Sequence, residues 1–157
     1  MPEISRESKE DNALFFLCSL VEYIARLTKN RRIDVIDCLG DERLCKILDL
    51  ADIYHSDNIE RVASDFIEEA RIPQGVFDNV ASCRYRVPSF WEIGRVYQRL
   101  VLAVASDTNE SVIKALRAVY SSFMSDKIDD YNSSVYYDSP ERQFADFKAG
   151  SFTPITV

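Results

Sequence analysis

A single histidine, His55, occurs in the 157-residue chain, within Ala51–Phe66, "ADIYHSDNIERVASDF". Acid–base catalysis near neutral pH would most simply use it. A nucleophilic mechanism would also need a nucleophile and an orienting carboxylate beside it. Asp52 lies one helical turn back, but no serine or cysteine context marks a nucleophile. His55 falls at the end of one helical pattern and just before the cap of the next. An imidazolium there meets the negative end of the helix dipole, and its N–H groups can reach the last free carbonyls. That structural helix-end role is the favoured reading, and no catalytic residue is assigned.

A second constellation is "CRYRVPSFWEIGRVYQR", Cys83–Arg99, which gathers Arg84, Arg86, Arg95 and Arg99 around a single acid, Glu92. Arg95 and Arg99 share a helix face at i,i+4 spacing, and Tyr85, Trp91 and Tyr97 lie between the arginines. Arginine among aromatics can stack on bases or hold a phosphate. It is equally the composition of protein-interface hot spots. Trp91, Arg95 and Arg99 are therefore candidate partner-binding residues. The loop "YNSSVYY" adds Tyr131, Tyr136 and Tyr137, since tyrosine gives contact area at low entropic cost.

Metal chemistry has one faint trace. Asp130, Asn132, Ser134, Tyr136, Asp138 and Glu141 fall at positions 1, 3, 5, 7, 9 and 12 of a calcium loop. Val135 stands where the sharp turn wants glycine, and Pro140 sits beside the last ligand. A turn followed by a Ser139 cap explains the segment better, so no metal and no cofactor is expected. Cys18, Cys38, Cys45 and Cys83 include no Cys-x-x-Cys pair, and read as free, mostly buried thiols of a reducing compartment. Paired acids such as Asp129–Asp130 and the "KNRR" turn read as solvated charges. Gly-rich phosphate loops, Gly-x-Ser-x-Gly and His-Glu-x-x-His do not occur.

The elements that must position these residues are helical. Hydrophobic residues make up 46% of the chain, with only 4 Gly and 5 Pro, which argues against a many-stranded fold. Residues 1–10 read as a disordered lead-in, and residues 151–157 as a tail. Asp11 or Asn12 caps a first helix to about Lys29, apolar around most of its circumference and so suited to the centre of a bundle. Further helices are expected over 33–39, ending at Gly40, over 41–55, and from about 58 to 72. A short extended stretch is expected near 83–87. Ser89 and Glu92 form a capping box for the next helix. Asp107 and Glu110 open another, reaching to about Asp130. Ser139, Pro140 and Gly150 delimit the last. The prediction is an all-α, compact bundle-like domain of about six or seven helices over 11–150, with possible sub-halves 11–72 and 88–150 joined by an irregular segment.

The charge is −7, and residues 1–75 hold 16 of the 26 acids against 10 of the 19 bases. An acidic first half suits a basic protein partner and opposes a nonspecific grip on phosphate backbones. The longest apolar run, Ala13–Ala25, is too short to span a membrane and is interrupted by Glu22. A cytoplasmic protein without a membrane partner is expected.

The stretch from "NALFFLCSLVEYIARLT" through "LADIYHSDNIERVASDFI" resembles a small bacterial helical family of unknown function. The matching features are the aromatic-rich first helix, Tyr54–His55, the polar turn Ser56–Asn58, and Asp65. The family is often encoded near ADP-ribosyltransferase-like toxin genes, and chains in it usually end near residue 70 of this sequence. The resemblance implies an antitoxin-like partner that occludes a toxin or enzyme. The leading expectation is thus a non-enzymatic protein–protein interaction module. Alternatives are an enzyme using His55 and nearby acids, and a nucleic-acid-binding regulator, the latter opposed by the charge. Self-association is a further option.

Overall fold

A computed structural model describes residues 8–150; the expected lead-in at 1–7 and tail at 151–157 lie outside the described residues. The fold is all-α, with no strand among the described residues. Its elements are α1 (Lys9–Thr28), α2 (Arg32–Asp49), α3 (Ala51–His55), α4 (Ile59–Ala70), α5 (Phe90–Thr108), α6 (Val112–Tyr120), α7 (Phe123–Ile128) and α8 (Pro140–Ala149), with a 3-10 turn at Val135–Tyr137.

Helix α1 occupies the centre. Leu14, Phe16, Leu17, Leu20, Val21 and Ile24 are all buried, and the helix packs against α2, α3, α4 and α5. It begins earlier than its apolar pattern suggests. Ser8 Oγ accepts a hydrogen bond from Asp11 N at 3.1 Å, so Lys9 and Glu10 belong to the helix, not to a lead-in. Gly40 (φ 77°, ψ 159°) kinks α2 in a conformation that glycine adopts at little steric cost. The stretch expected as one helix from 41 to 55 breaks at Leu50 (φ −108°, ψ 19°), which creates the short α3. Asn58 caps α4, its Oδ1 accepting from Glu60 N at 2.8 Å.

The expected capping box of α5 forms in full between Ser89 and Glu92. The helix then runs past Asp107 to Asn109, which ends it in the left-handed region. Ser111 caps α6, and a break at Ser121–Ser122 separates α6 from α7. The alternation at 83–87 yields turns and irregular backbone, with no strand among the described residues to pair with. Residues 73–79 instead form a strap across the end of α1. Gly75 N donates to Thr28 O (2.7 Å), Phe77 N to Lys29 O (2.8 Å) and Asn30 Nδ2 to Pro73 O (2.7 Å).

Gly94 lets α1 and α5 approach closely: a Cβ there would lie 2.8 Å from Ser19 Cα and closer still to its hydroxyl. In an exposed helix interior, Gly→Ala stabilises by about 1 kcal/mol. At position 94 the helix axes would have to separate, and overpacking of this kind costs about 1–3 kcal/mol. Gly94→Ala is therefore expected to be destabilising, measured by urea unfolding. A gain in stability would mean that the contact yields freely.

Candidate functional site

The interior holds charge where an apolar core would be expected. Glu22 projects from the buried side of α1 and meets Arg32, at the start of α2, through two bonds: Nε to Oε1 at 2.9 Å and Nη2 to Oε2 at 2.7 Å. Arg26, one turn along α1, adds Nε to Oε2 at 2.8 Å and donates Nη2 to Pro88 O at 2.7 Å. The Tyr131 hydroxyl donates to Glu22 Oε2 and accepts from Arg26 and Arg32, each at 3.2 Å. Asn79 bridges outward. Its Oδ1 accepts from Arg32 (3.2 Å), and its Nδ2 donates to the Asp129 carbonyl (2.8 Å). The Asp129 carboxylate accepts from Tyr97 Oη at 2.7 Å, and Ser125 Oγ lies 3.4 Å from its other oxygen.

Two acids in this cluster are pushed in opposite directions. Burial alone would raise the Glu22 carboxyl, but Arg32, assisted by Arg26 and Tyr131, outweighs it and holds the group at about 2. Burial pushes Asp129 up to about 7, against the pull of Arg32 and with the Glu22 charge adding to the rise. Asp129 is thereby set to hold its proton to a higher pH than an ordinary carboxyl. A cavity of about 370 Å³ borders the cluster, lined by Arg31, Phe77, Asn79, Asp126, Asp129 and Tyr131. Val76 stands at its edge, 97% exposed.

A second concentration of chemistry lies at the surface. The Trp91 ring contacts Phe15 (5.5 Å between centroids), Phe90 (4.9 Å) and His55 (5.7 Å), and Tyr23 meets Phe90 edge-on at 5.0 Å. The Arg95 guanidinium sits 3.9 Å from the centre of the Phe15 ring. Phe15, Tyr23, Phe90, Trp91 and Arg95 are half-buried, and His55 is exposed. The result is a continuous aromatic face with a cation on it.

Comparisons with known protein families, with curated proteins and with solved structures find no match. The chain's own geometry therefore carries the functional reading.

The sequence-predicted residues are distributed unevenly over these two places. Trp91 and Arg95 lie on the aromatic face. Arg95 also donates to Gln98 Oε1 (3.0 Å), and Gln98 reaches back to Asp11 O (2.9 Å). Arg99 is exposed one turn further along α5. The three tyrosines do not form one docking loop. Tyr131 is buried at the heart of the ion cluster, Tyr136 is half-buried against it, and Tyr137 is 69% exposed. The 131 position is thereby corrected from a surface contact to an interior one, because its hydroxyl is needed by Glu22. His55 ends α3 and contacts the Phe16 and Trp91 rings. Asp52, one helical turn back, pairs with Lys9 at 3.2 Å.

In the calcium-like stretch, Asn132 Oδ1 accepts from Arg84 N (2.8 Å), its Nδ2 donates to Ser82 O (3.0 Å), and Asp130 accepts from Asn132 N. Ser134 precedes the 3-10 turn, Asp138 follows it, and Glu141 lies in the first turn of α8. Among the described residues, no group of three or more His, Cys, Asp or Glu side chains could hold a metal ion. Of the cysteines only Cys18 is buried, its thiol pushed up to about 12 by burial; Cys45 is exposed.

Sequence reasoning missed the ion cluster. It placed Arg32 and Asp129 in solvent, whereas they are 1% and 6% exposed. One signal was present: Glu22 stands alone in an apolar helix with Arg26 at i+4.

Proposed function

We propose that the chain is a non-enzymatic protein-binding module whose docking face is the aromatic patch around Trp91. The carrying observation is the half-buried run Tyr23–Phe90–Trp91–Phe15 with Arg95 stacked on it and His55 beside it. Aromatic and arginine side chains that are already ordered lose little entropy on binding, and such residues dominate interface energetics. Following the resemblance of residues 11–70, the module acts in the manner of an antitoxin, by occluding the working surface of a partner enzyme. No helix among the described residues is long and apolar enough to cross a membrane.

The first experiment is a tagged pull-down from a native bacterial lysate, with the recovered partner then titrated against variants. Joint replacement of Trp91 and Arg95 by alanine is expected to weaken that partner about a hundredfold or more. The helical circular dichroism signal should be retained. Unchanged affinity in a folded double variant would remove this face from the interface. Unfolding of the variant would assign both residues to the core.

A further inference from the structure

Beside the aromatic face runs a groove of about 390 Å³ between the start of α1, the α2–α3 junction and the start of α6. Its floor is apolar and low: Ala13, Leu48, Ala51 and Val112. Its rim is acidic, with Glu10, Asp49 and Asp52. Lys9 is the one base lining it, and that side chain rests on Asp52 at 3.2 Å with both partners more than two-thirds exposed. An ion pair so exposed contributes about 0–1 kcal/mol, so an incoming cation can displace it.

We propose that this groove receives a basic amphipathic helix of a protein partner. The inference rests on the reading of the chain as a protein-binding module and names the partner's chemistry. The alanines of the floor, Ala13 and Ala51, leave room beside Leu48 and Val112 for large apolar anchors at i, i+3 and i+4 of an incoming helix. Acids on the rim select lysine or arginine on the flanks of that helix and repel phosphate-rich surfaces. Helix α3 forms a wall common to the groove and the aromatic face: Ala51 and Asp52 turn to the groove, while His55 lies against Trp91. A helix seated in the groove can therefore continue onto the proposed docking face.

The test needs no native partner. A displayed library of amphipathic helices, spanning both signs of net charge, is selected against the full chain. The winners are then titrated as synthetic peptides. The expected winners carry leucine-type anchors with net positive charge, and shift the amide signals of Ala13, Leu48, Ala51 and Val112. Joint Asp49→Lys and Asp52→Lys substitution, at two exposed positions, should weaken them about tenfold or more. Acidic or neutral winners, or winners that bind the double variant equally well, would overturn the proposal. So would shifts that map to the cavity beside Asp129. Loss of the native partner on Trp91/Arg95 replacement with no helix in the groove would sink the groove alone and leave the module reading standing. Selected helices in the groove with a native partner indifferent to Trp91 and Arg95 would do the reverse.

Discussion

Replacing Arg32 by methionine is expected to lower the unfolding free energy by about 3–5 kcal/mol. Methionine fills much of the arginine stem's volume, so the loss reports charge more than shape. Arg32 is fully buried and supplies two of the bonds that neutralise Glu22. Without it the carboxylate keeps Arg26 and Tyr131, but a buried charge has lost its strongest partner. Removing one member of a buried pair is costly because the other stays desolvated. Removing both is cheaper. The double variant Glu22→Leu/Arg32→Met should be more stable than Arg32→Met alone, and the cycle should show coupling on the order of 2–3 kcal/mol. In a domain of this size the single substitution corresponds to a fall of roughly 10 °C in Tm. A loss under about 1 kcal/mol in urea titration would mean that water enters and solvates Glu22.

The same cluster marks where the sequence stopped being informative. Signals that act within a few residues were legible. Ser89 and Glu92 bond each other across one turn, and Ser139, Pro140 and Gly150 delimit α8 as their chemistry dictates. The centrality of α1 followed from apolar residues around most of its circumference. The start of α1 was misplaced because Lys9 and Glu10 are polar and show no periodicity. The break at Leu50 has no glycine or proline to announce it. Asn109 ends α5 in the left-handed region, so the preceding Asp107 looked like a helix opener although it lies in a last turn. Pairing over long separations left no local trace. Arg32 lies 10 residues from Glu22, and Tyr131 lies 109 residues away. Nothing in "KNRR" distinguishes the buried arginine from its exposed neighbour Arg31. On the aromatic face, Trp91 and Arg95 were visible as residue types at helical spacing. Phe15 and His55 joined them only through tertiary packing of α1 and α3 against α5.

Stability should peak in mildly acid solution and decline toward neutrality, an effect on the order of a few kcal/mol governed by Asp129. Its ordinary value is 3.8, and burial raises it to about 7 in the fold. The folded chain therefore holds this proton more tightly than the unfolded chain. That contribution is complete below about 4 and is lost as pH rises through about 7. Glu22 behaves oppositely: lowered from 4.5 to about 2, it stabilises above about 4.5 and loses its contribution as pH falls through about 2. The two limbs together put the maximum near pH 4–5. Groups facing Asp129 are Arg32, Glu22, Tyr97 and Arg31, and neither Arg32 nor Tyr97, both raised above their ordinary values, changes charge in this window. Asp129→Asn keeps an acceptor for the Tyr97 hydroxyl, now 2.7 Å from Oδ1, and cannot ionise. It should flatten the decline between about pH 4 and 7 and melt above the parent protein at pH 8, while keeping the acid limb. Glu22→Gln should remove the acid limb at the cost of an unpaired Arg32. Thermal melts across this range decide the matter, and parallel pH profiles for Asp129→Asn and the parent would show that Asp129 stays ionised in the fold. In that case the cluster would hold two carboxylates and two guanidinium groups at neutral net charge, with the Tyr97 hydroxyl supplying the bond that helps to keep Asp129 charged.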